Sequence, residues 1–259
     1  MRIALGVEYD GSDYCGWQYQ DHSPSVQSDV EQALSRVADE KIRVICAGRT
    51  DTGVHARNQV VHFDTTASRS DRAWVFGANT HLKDGIAVLW ACSIDDTFHA
   101  RFSAIRRSYR YIIFNRRIRP TFLAKRVTWE YRELDSDQMQ LAASHLIGNH
   151  DFNAYRSAAC QAKSSEREIL HLDVHRQKEF VIIDVVANAF LHHMVRNIAG
   201  VLISIGAGEH PPRWSQEILF SKDRTLAAMT AKPFGLYLMD IRYPPEFMLP
   251  QLEDSLMLW

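Results

Sequence analysis

A chain of 259 residues, 46% apolar and 24% charged, has the make-up of a globular protein of one or two domains, with length enough for a sizeable core. No apolar run approaches the ~18 residues of a membrane span, and the opening MRIALGVEYDGSD reads as a strand rather than a secretory signal. Net charge is −1, which selects no partner by itself; four scattered cysteines, at 15, 46, 92 and 160, argue against a disulfide framework and suit buried thiols in a reducing cytosol.

RIALGVEY at 2–9 alternates as strands do. SPSVQSDVEQALSRVADE follows and sets Val26, Val30, Ala33, Leu34 and Val37 at helical spacing, with Ser25 as N-cap. Strands are expected at 42–47 and 59–64. Between them lies AGRTDTGVHA, residues 47–56. A hairpin link takes about two to five residues, and loops of such excess length are usually functional. This one carries Arg49 and Asp51 at the lip of a sheet.

Residues 86–94 and 106–115 read as strands. Met139, Ala142, Ala143, Leu146 and Ile147 share a helical face that Gly148 ends. Strands at about 168–176 and 180–187 follow, joined by the polar turn RQKE, then a helix over 189–206 and a last strand at 236–243. This order predicts an α+β fold: two similar lobes sharing a mixed, mainly antiparallel central sheet flanked by helices, with an active-site cleft between them. The lobes are expected at 1–105, with the loop at 47–57, and at 106–245. The tail at 246–259 carries isolated apolar residues that suit packing against a partner subunit.

Charge is unevenly spread. From Thr97 to Trp129 there is no acid, while Arg101, Arg106, Arg107, Arg110, Arg116, Arg117, Arg119, Lys125 and Arg126 supply nine positive charges. Phe102, Tyr109, Tyr111 and Phe114 are interleaved. Guanidinium groups with aromatic rings suit a polyanion with stackable bases. The competing reading is pairing with some of the 31 acids elsewhere. A second acid-free stretch, Val185 to Gly208, is apolar all round in its C-terminal half and reads as buried. Arg196 lies within it and requires a carboxylate from elsewhere in the chain. His193 and Arg196 would share a helical face; His192 and His193 would point about 100° apart, which suits hydrogen-bonded side chains better than joint metal ligands. There is no GxGxxG, Walker lysine, GxSxG or HExxH. A glycosidase needs paired carboxylates. Asp10, Asp13 and Asp51 could be paired on paper, as could many acids in any protein.

GRTDTGVHA at 48–56 resembles the signature of the tRNA pseudouridine synthase A family. YDGSDYCGWQ at 9–18, FHARFSA at 98–104, YRYIIFN at 109–115, NAFLHHMVRNIAG at 188–200 and GLYL at 235–238 are similar to that family's other blocks, in the same order. The resemblance covers residue 3 to about 243. It implies a cytoplasmic homodimer that isomerises uridine at positions 38, 39 and 40 of the tRNA anticodon stem-loop, without metal or organic cofactor. It also implies roles. Asp51 is the essential carboxylate, and Arg196 is the arginine that pairs with it. Tyr109 stacks on the target base and joins in removing the C5 proton. Arg49 enters the RNA and holds the displaced nucleotide. Leu236 walls the base pocket. Arg101, Arg107 and Arg110 belong to the phosphate-binding segment.

The chemistry fits a site without redox motifs. The N1–C1′ bond breaks, the uracil turns, and C5 joins C1′, with no atom gained or lost. One ionised carboxylate can attack C1′, attack C6 or take a proton from C2′; the residues leave all three routes open. Two other classes remain in view: an RNA-binding module without catalysis, and a carboxylate nucleosidase that would release free base.

Overall fold

The computed structural model describes residues 1–252. The chain divides into two compact units, Met1–Ile105 with the segment from Tyr237 onward, and Arg106–Leu236. The last strand therefore belongs with the N-terminal unit, whereas the sequence reading assigned 106–245 to the second lobe.

In the first unit, β1 (Arg2–Tyr9) lies between β4 (Ile86–Ile94) and β3 (His55–Asp64), antiparallel to both. The short β2 (Ile45–Cys46) pairs antiparallel with β3. β10 (Leu236–Arg242) joins β3 in parallel, with Tyr237 opposite His55 and Leu238 opposite Ala56. Two helices cover this sheet. α1 (Val26–Ala38) starts where the Ser25 hydroxyl accepts the Ser28 amide and sends Val26, Val30, Ala33 and Leu34 into the core. α2 (Asp71–His81), not expected from the sequence, packs on α1 and β4 and buries Trp74.

The strand expected over 42–47 shrinks to two residues. Helix α1 intercepts its backbone: Ser35 Oγ accepts the Ile42 amide at 2.9 Å, and Glu31 accepts the Val44 amide at 3.1 Å. Those amides are satisfied without a ladder. All four cysteines are free thiols, half-buried rather than buried as expected.

In the second unit, β5 (Arg106–Asn115), β9 (Phe180–Ala187), β8 (Glu166–Gln177) and β7 (Gly148–Asp151) form an antiparallel run, with β6 (Thr128–Glu130) parallel to β5. α3 (Ser136–Ser144), capped by Asp135, packs on β8. It ends three residues earlier than expected, so Gly148 opens a strand and Ile147 is left exposed. α4 (Met194–Gly206) is the most buried helix, with α3 and α5 (Trp214–Ser221) against it. The fold class is α+β with a mixed, mainly antiparallel sheet. Among the described residues no helix is long and apolar enough to cross a membrane. Of the 246–259 tail, residues 253–259 lie outside the described residues.

Candidate active site

The loop is shorter than the sequence suggested. β3 begins at His55, two residues before the expected loop end, because Ala56 already pairs with Tyr9 and Leu238. What remains, residues 47–54, is pinned along its length. The Ala47 amide donates to the Val60 carbonyl at 2.8 Å, and Gln59 Nε2 donates to the Gly48 carbonyl at 2.5 Å. The Trp17 amide donates to the Thr50 carbonyl at 3.0 Å, and the Thr50 and Tyr9 hydroxyls meet at 2.8 Å. The Val54 amide closes a turn on the Asp51 carbonyl at 3.1 Å.

The YDGSDYCGW block explains itself here. A Cβ on Gly11 would lie 2.0 Å from the Val54 carbonyl oxygen. Gly16 has φ +92°, and a Cβ there would lie 2.7 Å from the Thr50 carbonyl oxygen. Only glycine lets the two backbones approach this closely. The result is a half-buried Asp51, flanked by exposed Arg49 and Thr52, on a backbone with little freedom.

Asp10 is committed elsewhere. Its carboxylate lies 3.1 Å from His55 Nδ1 and accepts the Ser12 amide at 2.9 Å. Those hydrogen bonds hold it well below the usual carboxylate range, against the opposing cost of burial. His55 in turn stacks on Tyr237, centroids 4.6 Å apart. Asp10 is thus a structural anion, a poor second acid for a nucleosidase.

In the second unit, β5 carries three of the expected residues. Tyr109 stands opposite Val185, is buried to 9% exposure, and takes Phe190 edge-on at 5.0 Å. Arg107 Nη1 donates to the Asn188 carbonyl at 2.9 Å. Arg110 sits directly across from Asp184 and donates to it twice, Nε at 2.7 Å and Nη2 at 2.9 Å. That fork ties two strands together, so Arg110 acts in the framework. Leu236, buried, follows a tight turn at Pro233–Gly235 and opens β10.

Arg196 sits in the first turn of α4, half-buried. Its Nε donates to the Ala231 carbonyl at 2.9 Å, and its own carbonyl accepts the Ala231 amide at 3.1 Å. This reciprocal pair fixes the base of the guanidinium. The neighbouring Asn197 is buried and donates to the Tyr155 carbonyl while accepting from Thr230 and Arg224. The helix expected from 189 begins only at Met194, because His193 has φ 62° and the Ser157 amide holds the His192 carbonyl. His192 and His193 are therefore not helical, and the shared helical face expected of His193 and Arg196 does not form. The sequence reading missed Phe190, Asn197 and Ala231. The first two lie inside the NAFLHHMVRNIAG block; nothing in the sequence marked the third.

A family model described as tRNA pseudouridine synthase matches residues 6–103 and 142–244. The chain is similar to a tRNA pseudouridine synthase A of Coxiella burnetii, 54% identical over 97% of this chain and 96% of that one. It is similar to one of Nitrosococcus oceani at 54% identity over the whole of both chains, and to one of Pseudoalteromonas atlantica at 54% over 98% and 96%. The chain belongs to the tRNA pseudouridine synthase family. It is an isomerase that converts uridine to pseudouridine.

Proposed function

We propose that this chain isomerises uridines 38, 39 and 40 of the tRNA anticodon stem-loop, as a cytoplasmic homodimer, with Asp51 as its essential carboxylate. The observation that carries the reading is the pinned 47–54 loop, which holds a half-buried carboxylate in one place at the edge of a sheet. Each route to the glycosidic bond, through C1′, C6 or C2′, needs that carboxylate ionised and positioned. Arg196 is the arginine that pairs with it in this reading. Its rigid seat on Ala231 suits a group that must not drift.

The target uridine must leave the stem, at a cost of a few kcal/mol. Arg49, exposed beside Asp51, fills the gap the base leaves. Tyr109 lies under the extruded base with Phe190 bracing its ring, and Leu236 closes the pocket with apolar surface. Arg101 and Arg107 meet phosphates, which sets register without reading sequence. As C5 bonds to C1′, the C5 proton leaves, and it can be counted.

The test is tritium release from C5-labelled uridine in tRNA, wild type against Asp51→Asn, with filter binding alongside. The expected result is lost release with retained binding. Unchanged release would overturn the reading, and free uracil in the product would reassign the chain to the nucleosidases. If Arg196 acts through Asp51, the Asp51→Asn/Arg196→Ala double variant is no slower than Asp51→Asn alone.

A further inference from the structure

The FHARFSA block at 98–104 is built as a rigid turn, and the isomerisation chemistry does not use its most conspicuous residue. Of the seven aromatics in the acid-free stretch, Phe98, Tyr109, Tyr111 and Phe114 are buried. Phe102 and Phe122 turn their rings outward, 75% and 81% exposed, and Phe102 is the one whose turn is tied to distant residues, His62 and Tyr243.

Its backbone is held from several directions. The Arg101 and Phe102 amides both donate to His99 Nδ1, at 3.1 and 3.2 Å. The Ser103 amide closes the turn on the His99 carbonyl at 2.9 Å. The Ala100 amide donates to Nδ1 of buried His62 on β3 at 3.1 Å, and the Tyr243 hydroxyl donates to the Ala100 carbonyl at 2.7 Å. Arg2 on β1 donates to the Phe98 carbonyl at 2.8 Å. Phe98 itself is fully buried among His62, Tyr243 and Phe247.

Both imidazoles must stay neutral at Nδ1 to accept those amides. Burial pushes both down, His62 to about 4, so they are neutral near pH 7. The Phe102 ring then leans on His99, centroids 4.3 Å apart and tilted by 30°, with the Arg101 guanidinium 5.6 Å from its centroid.

A phenylalanine ring 75% exposed gains little from packing beyond its contact with His99. Spending a buried histidine and the hydroxyl of a half-buried tyrosine to hold it still implies a ligand. A flat ring with a cation at its side, in a 33-residue stretch free of acids, is complementary to a base joined to a phosphate. We infer that Phe102 is a stacking platform for an unpaired nucleobase of the RNA, with Arg101 at the adjoining phosphate. The platform rests on the RNA-modifying function above and names a contact that function does not require.

The test compares wild type with Phe102→Ala and Phe102→Trp for tRNA binding and steady-state tritium release. Stacking predicts that Phe102→Ala raises both Kd and KM about 5- to 50-fold with kcat within about twofold, and that Phe102→Trp stays near wild type. The salt dependence of binding keeps its slope in Phe102→Ala, because no phosphate contact is lost. Unchanged Kd and KM would overturn the platform. So would a Phe102→Ala variant that alters the sedimenting species, which would assign the ring to a protein–protein contact. Should wild type release no tritium from tRNA, binding of a uridine-rich single-stranded oligonucleotide still decides: weaker binding by Phe102→Ala keeps the platform while the substrate assignment falls.

Discussion

Two stretches of this chain that the proposed function would use are built on opposite plans. Residues 47–54 are held by backbone hydrogen bonds and by two glycines that admit no Cβ, and the side chain they deliver is a half-buried carboxylate. Residues 116–126 carry Arg117, Arg119, Lys125 and Arg126 on the surface with Ile118 and Phe122, 71% and 81% exposed; short local turns close the backbone, and Trp129 Nε1 donates to the Arg116 carbonyl at 2.8 Å. The contrast matches what the proposal asks of each. Bond-making tolerates errors well under an ångström, because a misplaced reacting group costs orders of magnitude in rate. Phosphate recognition is a long-range charge interaction and tolerates adaptable side chains.

The difference can be broken at either end. The largest effect is expected at the carboxylate: Asp51→Ala should lower tritium release at least about 100- to 10,000-fold with binding nearly intact. Next comes the support beneath it. Gly11→Ala drives a methyl into the Val54 carbonyl, so it should slow isomerisation about 100-fold and destabilise by about 1–3 kcal/mol in thermal melts, although Gly11 touches no substrate.

The FHARFSA turn gives a pH signature of the same rigid plan. His62 is held down to about 4, against an unfolded value near 6.5. Between those values the unfolded chain binds more protons. Stability is therefore full above about pH 6.5 and falls by up to about 2–3 kcal/mol as pH drops to 4, and His62→Asn should flatten that slope in denaturant titrations.

On the adaptable side, Arg117→Ala/Arg119→Ala should weaken tRNA binding a few-fold, lower the log–log salt slope by about one to two, and leave the melting temperature unchanged. A melting shift there would show that the two plans are not distinct. The smallest effect is expected at Arg110. Its fork on Asp184 is structural, so a double-mutant cycle should return a coupling of about 0.5–1 kcal/mol in stability and a negligible change in the salt slope.

Local pattern was legible where local physics governs. Alternation located β1, β4, β5 and β9, and Ser25 capped α1 as its side chain demands. Boundaries failed where a distant group intervened. Glu31 and Ser35 took the amides of 42–44, and a left-handed His193 delayed α4 by five residues. α2 escaped notice because its exposed Phe76 blurs the apolar stripe that Trp74 and Ala78 mark. The basic stretch was visible as composition. That Arg110 is neutralised by Asp184 depends on strand register, which the sequence does not display.

The sequence by itself determined the family: the GRTDTGVHA loop and the ordered blocks around it. It determined this because residue types and spacings are local properties of the chain. Only the tertiary structure decided which glycines make room for the Asp51 loop, which arginine is spent on a strand pair, and which aromatic ring faces outward. Those outcomes depend on contacts between residues tens of positions apart, such as Gly11 against Val54, Arg110 against Asp184 and Tyr243 against Ala100, and burial and register exist only once the chain has folded.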